Sequence, residues 1–284
     1  MTYRDCFASY MGCWAILPRI AAEGHQRYLA GTVPPASPDD ANEPYSVHGG
    51  IAVLSIEDVM MRGKSKLGGT STIHVQRELV RAVSDPAVGG TMIHAHTPGG
   101  TVDGSHGLYE RIVWANSIKP VHVHGDLICS AGYHVASGAS RITAGASAMI
   151  GSLGVILTVV DSSKAAEVAG VKIIAITSDG AEAKATGMDG TPVTDEQVAE
   201  LRSLVNGHAD IMLGDIVAGP RGKLDRKGIK AMNGGVFLAA EAKSLGLIDK
   251  VETFDEAMAN LQSVIARAGT SRRLNKARID SAGG

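Results

Sequence analysis

The sequence predicts an α/β fold with a largely parallel sheet, on three observations. From Gly50 onward, short apolar runs alternate with stretches whose apolar residues recur at helical spacing, the texture of βαβ units. Three glycine-marked segments fall directly after predicted strands, where open α/β sheets place their ligands. Aromatic residues make up only 4% of the chain, so the core must be built from aliphatic side chains, alanine and glycine.

The elements follow in order. Residues 1–48 read as an N-terminal arm, with Gly31 to Tyr45, rich in Pro, Ala, Ser and Asp, as an extended linker. Ile51 to Ile56 is a strand. Ser71 to Val83 carries Ile73, Leu79, Val80 and Val83 near a helical stripe, and Asp85-Pro86 stops it. Thr91 to His96 is the next strand, Gly104 to Ser117 a helix, and Pro120 to His124 a third strand. A helical run after Ser130 leads to strands at Arg141 to Ala144, Leu153 to Val160 and Val171 to Thr177. Thr194-Asp195-Glu196-Gln197 has capping-box form ahead of Val198, Leu201, Val205 and Met212. Leu238 to Leu245 is a helix that Gly246 ends, and Thr253-Phe254-Asp255-Glu256 starts the last one. Residues 49–264 form the main domain, and 265–284, with Arg272, Arg273, Lys276 and Arg278, a flexible basic tail.

Composition narrows the function. The chain of 284 residues carries 27 Lys and Arg against 29 Asp and Glu, a net charge of −2, which gives no electrostatic case for nucleic acid or an anionic membrane. Cys6, Cys13 and Cys129 are too few for a disulfide framework and suit a reducing, cytoplasmic setting. No apolar run has the length of a membrane span, and the N-terminal residues lack the pattern of a secretion signal.

Each glycine-marked segment offers a chemical group. In His96-Thr97-Pro98-Gly99-Gly100-Thr101 the proline stiffens a turn and the glycines permit close backbone approach, so an amide can be aimed at a developing negative charge. In Gly125-Asp126-Leu127-Ile128-Cys129-Ser130-Ala131-Gly132-Tyr133, Ser130 opens a helix, where free N–H groups favour an oxyanion; a plain helix cap is the commoner use of such a serine. A Gly-x-Ser-x-Gly pattern is missing around Ser130, which disfavours an α/β-hydrolase. Lys184 lies among small residues in Ser178 to Gly187; it serves as a base only where desolvation keeps its amine neutral, and most loop lysines are simply solvated.

Together these segments resemble one family. Pro98-Gly99-Gly100, then Ser130-Ala131-Gly132-Tyr133, then Gly151-Ser152-Leu153-Gly154-Val155, then Lys184-Ala185-Thr186-Gly187 is the order found in the signal peptide peptidase A family of serine peptidases. The stretch Glu241 to Asp249 is similar to that family's helix-to-strand ending, and the resemblance covers roughly residues 48 to 262. The soluble, short form, with Thr191-Pro192-Val193-Thr194-Asp195-Glu196-Gln197 after the lysine motif, looks most like the phage and prophage branch of capsid-assembly, or head-maturation, proteases. The resemblance implies a Clp protease/crotonase-like fold of repeated ββα units, with Ser130 as nucleophile and Lys184 as general base. It further implies that Ser152 holds the lysine amine and that the oxyanion hole is built at Gly99, Gly100 and Ala131. It implies no cofactor and no metal, a polypeptide substrate such as a capsid, scaffold or portal protein, a homo-oligomer, and action in the host cytoplasm or the phage prohead. One departure is His96-Thr97, where the family often has Asp or Asn followed by Ser; it bears on the contacts of the substrate groove.

Four rival readings stand beside it. His94, His96, His122 and His124 put paired imidazoles on strand faces and would suit zinc if those faces coincide. A crotonase-like acyl-CoA enzyme would share the oxyanion hole without needing a serine and a lysine. A bacterial soluble protease of the same family would share the dyad with another substrate. An inactive capsid-scaffold partner would keep the fold alone.

Overall fold

A computed structural model describes residues 13–17, 45–63 and 69–282, the side chains of 269 and 271–282 apart. Strand β1 is Trp14–Ile16, β2 Ser46–His48, β3 Ile51–Glu57, β4 Met60–Met61 and β5 Thr70–Ser71, followed by helix α1, Thr72–Ser84. Next come β6, Gly90–Thr97, β7, Gly99–Thr101, and α2, Ser105–Ile118. Strand β8, Val121–Cys129, runs into α3, Ala131–Ala136, and β9 is Arg141–Gly151. The later elements are α4, Ser163–Val168, α5, Asp195–Ala218, α6, Arg226–Ala231, β10, Val236–Leu238, α7, Ala239–Ser244, β11, Lys250–Val251, and α8, Phe254–Ala282.

Two sheets organise the chain. The larger runs β10-β9-β8-β6-β3-β2 with β11 beside β9, and its β3, β6, β8 and β9 are mutually parallel. The smaller runs β1-β7-β4-β5. Successive units therefore send one strand into each sheet before a helix returns: β3, β4, α1 and then β6, β7, α2. This is the expected α/β architecture of ββα units around a parallel sheet.

Alternation along the strands explains why the large sheet is covered on both faces. Met92 joins Ile51 in a cluster with Ala257 and Leu261 of α8. The next residue, Ile93, points the other way into the main core with Val75 and Leu79 of α1 and Leu108 and Ile112 of α2. A strand buried on both faces reads as a near-continuous apolar run, and β8 is buried at every position except Asp126.

A register shift interrupts β8 at that same place, against β6 on one side and β9 on the other. The irregularity bends the strand just before Ser130, a common position for a bulge beside a functional group. Gly125 is required there, because a Cβ on it would lie 1.9 Å from the Ala95 carbonyl oxygen.

The helices expected at 71–83, 104–117, 194 onward and 238–245 are present within a residue or two, and Thr194 and Gln197 form the full reciprocal capping box. Gly246 follows α7 at φ 80. Strands 120–124 and 141–144 are longer than expected, reaching Cys129 and Gly151.

Two expected strands are corrected. Leu153 to Val160 forms no strand beyond a single bridge at Ile156, and Val171 to Thr177 forms none. Ile174 is 68% and Ile176 91% exposed, so the apolar run at 171–177 has the composition of a strand without a neighbour to pair with. The basic stretch at 265–284 continues α8 to Ala282. Within the N-terminal arm, residues 14–16 are a paired strand of the small sheet; residues 18–44, which hold most of the linker segment, lie outside the described residues.

Substitution Gly125→Ala should cost about 1–3 kcal/mol through overpacking. Urea denaturation checks this as a lowered midpoint with an unchanged slope.

Candidate active site

Ser130 sits where β8 ends and α3 begins, with φ 54 and ψ −118. A non-glycine residue at positive φ costs on the order of 1–3 kcal/mol and persists only where its surroundings enforce it. Here the Ser130 N–H donates to the Gly151 carbonyl at 2.8 Å, and the His134 N–H donates to the Ser130 carbonyl at 2.9 Å. A sharp strand-to-helix turn of this kind lifts the side chain out of the strand line, as in a nucleophile elbow. It does so without the Gly-x-Ser-x-Gly pattern, which is why the sequence motif gave no sign of it.

The Pro-Gly-Gly turn lies against this serine. A Cβ on Gly99, at φ 104, would stand 3.0 Å from Ser130 Cβ and 3.1 Å from the Ala131 nitrogen. Gly100 is equally confined, since a Cβ there would sit 1.8 Å from the Met60 carbonyl oxygen. Bare backbone from β7 and from the start of α3 thus lies beside the Ser130 side chain, and the Gly99 N–H donates to the Thr97 hydroxyl at 3.2 Å. On the other side the Ser130 hydroxyl donates to the Gly154 carbonyl at 3.4 Å.

The two remaining predicted residues are placed differently. Ser152, also at positive φ, follows β9 and donates its N–H to the Gly235 carbonyl at 2.7 Å. Lys184 is exposed on a single 3-10 turn, Glu182–Ala185. Among the described residues, no hydrogen bond joins its amine to Ser130 or Ser152. Gly99, Gly100 and Ala131 therefore lie beside Ser130, Ser152 follows the Gly151 whose carbonyl Ser130 bonds, and Lys184 is not brought to them.

The paired histidines do not form the metal set that their spacing allowed. His94 and His124 stack at 6.5 Å, and both meet Phe254 of α8 edge-on. The His124 Nδ1 hydrogen bonds to the Thr143 hydroxyl at 2.9 Å. Burial, with the Arg141 charge second, pushes His122 down to about 4, so its ring is neutral. The His94 and His124 rings thus pack under α8, while His96 is exposed.

Two polar networks, unforeseen from sequence, fix α3 behind the serine. Tyr133, fully buried, donates its hydroxyl to the Leu247 carbonyl at 2.8 Å and accepts from Arg221 at 3.1 Å. Burial pushes the phenol up to about 12, keeping it a donor. Arg221 also donates to Asp249 and to the Gly246 and Leu247 carbonyls. In the second network, Asp215 of α5 receives His134 Nε2 and His106 Nδ1 on one oxygen, each at 2.7 Å. The ligand atoms of these three residues lie within 4.8 Å of one another, close enough to hold a metal ion among the described residues. No local motif announces either network, because its members lie up to 114 residues apart.

Ser130 thus stands at a strand-to-helix turn beside the glycine backbone of β7. The chain belongs to peptidase family S49, whose family model matches residues 115–266. Over 139 residues it is 36% identical to capsid assembly protease C of Escherichia phage lambda, covering 47% of this chain and 32% of that protein. It is 26% identical over 221 residues to Protease 4 of Salmonella typhi, covering 76% of this chain and 35% of the relative. The chain thus spans about a third of the length of these relatives. Among solved structures, an enoyl-CoA hydratase/isomerase family protein from Silicibacter pomeroyi superposes with a TM-score of 0.46 at 13% identity, over 78% of this chain and 81% of that one.

The Asp215 clamp has a defined pH window. Burial raises the Asp215 carboxyl, but the hydrogen bonds from His134 and His106 outweigh it and leave it below the ordinary carboxylate range. Stability from that group is complete above its unfolded pKa and is lost as pH falls through the lowered one. His106 is held above the ordinary imidazole range by its hydrogen bond to Asp215, against burial. Its contribution is complete below the unfolded pKa and lost as pH rises through the raised one. Asp215→Asn should therefore lower the melting temperature most between those two limits and least outside them, as a pH series of thermal melts would measure. Tyr133→Phe should cost about 1–2 kcal/mol at all neutral pH values, the loss of a buried hydrogen bond.

Proposed function

We propose that this protein is a serine endopeptidase whose Ser130 attacks the peptide carbonyl and whose Lys184 takes the serine proton and returns it to the leaving amine. The observation that carries the proposal is the positive-φ turn that sets Ser130 beside the glycine backbone of β7 and the Ala131 amide. An oxyanion formed on the substrate carbonyl would be met by fixed N–H donors that need no reorganisation at the moment of reaction. Ser152, beside the turn, is assigned to holding the lysine amine.

Lys184 must come to Ser130 from its exposed turn. Residues 157–193 carry Val160, Val168, Ile174 and Ile176 in solvent, an apolar surface that isolated soluble chains seldom leave open. We assign the burial of this segment to self-association, which would bring Lys184 into an apolar setting. The identity with a capsid assembly protease supports a phage structural protein, capsid or scaffold, as the substrate.

Ser130→Ala and Lys184→Ala should each reduce cleavage of co-expressed capsid or scaffold protein by about 10⁴-fold or more with the circular dichroism spectrum unchanged. Wild-type turnover in either variant would remove that residue from the mechanism. The cleavage rate should climb with pH as the lysine base loses its proton, and a flat profile from acid to alkali would contradict a lysine base.

A further inference from the structure

The groove in front of Ser130 is filled by the chain itself. Ser130 is only 1% exposed, and Ala15 lies against the Gly99 backbone beside it. Strand β1 lies antiparallel to β7, with Trp14 opposite Thr101, Ala15 opposite Gly100 and Ile16 opposite Gly99. Main-chain bonds continue on both sides: the Leu17 N–H donates to the Pro98 carbonyl at 2.9 Å and the Val102 N–H to the Cys13 carbonyl at 3.2 Å. Along its other edge, Trp14 exchanges two 2.8 Å hydrogen bonds with Ile156. This second edge belongs to the same stretch as Gly154, whose carbonyl accepts from the Ser130 hydroxyl. An extended peptide bonded along both edges, between two segments that converge on a nucleophile, is how a protease would hold a substrate by strand addition.

The register sharpens this. Ala15 stands opposite Gly100, one of the residues assigned to the oxyanion hole. A Cβ on Gly99, only 3.1 Å from the Ala131 nitrogen, would lie 2.2 Å from the Ala15 carbonyl oxygen. The Ala15 carbonyl is thus delivered to the space where the backbone donors and Ser130 meet. Its own methyl is fully enclosed, and Leu17 fills an apolar recess made by Leu127, Cys129 and Met149.

We infer that Cys13–Leu17 is an intramolecular peptide ligand of the active site, seated in the substrate register with Ala15 on the amino side of the bond presented to Ser130. The inference rests on the peptidase reading above. The groove accordingly accepts extended peptides with a small residue at the Ala15 position and an apolar one two places on. A substrate enters by displacing the tethered strand, which competes at the effective concentration of an intramolecular partner, on the order of millimolar.

The test uses the full chain and fluorescently labelled casein as substrate. Leu17→Asp, which expels the side chain from its recess, should unseat the strand and lower KM about tenfold or more while leaving kcat nearly unchanged, because a tethered competitor acts on binding. Ala15→Arg should behave alike, and circular dichroism checks that both variants fold. As a measurement independent of any variant, the amides of Trp14 and Leu17 should be protected from hydrogen exchange in the wild type. They should lose protection on adding excess acetylated Cys-Trp-Ala-Ile-Leu peptide, which takes their place. If both folded variants cleave casein with the wild-type KM, or the added peptide leaves the protection unchanged, the strand is a permanent part of the sheet and the inference fails while the peptidase reading stands. If no form cleaves casein or a co-expressed capsid protein, it is the peptidase reading that has failed.

Discussion

The left-handed turn at Ser130 is the constraint on which the rest of the site depends. A serine at φ 54 is unfavourable in isolation, so the surrounding fold must hold it there. One anchor is the bond from its N–H to Gly151, which ties the end of β8 to the end of β9. Another is α3, pinned through Tyr133 to Arg221 and Asp249 and through His134 to Asp215. The parallel sheet supplies a rigid base, and the long α5 and the segment after α7 supply the polar grip. Elements from the last third of the chain thus fix the geometry of a residue near its middle.

The same turn explains the distribution of glycine around it. Backbone must approach backbone at Gly99, Gly100 and Gly125, and each position would place a Cβ within 2.2 Å of a carbonyl oxygen. These are packing requirements first. At Gly99 they bear on chemistry as well, because the backbone brought close there lies beside the Ser130 side chain.

Much of this was legible in sequence because it is local. The helix at 72–84 carries its stop in Asp85-Pro86, the capping box at Thr194 is four consecutive residues, and the glycine turns follow their strands directly. Readings failed where the outcome depended on a distant partner. Val171 to Thr177 has strand composition, but composition cannot say whether a neighbouring strand is available, and among the described residues none pairs with it. Trp14-Ala15-Ile16-Leu17 is a short apolar run that could have been read as a strand; its place in an arm rich in small and polar residues hid it. The Tyr133–Arg221–Asp249 network leaves no sequence signature, since charged and aromatic residues at such separations are met everywhere. For the same reason the pairing of Ser130 with Lys184 was an inference from order along the chain, and in the structure Lys184 stands exposed on its own turn.

The account stands on Ser130 being an activated nucleophile in a chain that folds this way. Intact-mass spectrometry after treatment with a small phosphonofluoridate reads that property directly. The account predicts one covalent adduct per chain, located by peptide mapping to Ser130 and forming faster as pH rises. A chain that degrades protein yet stays unlabelled, or that carries the adduct on another serine, would contradict it.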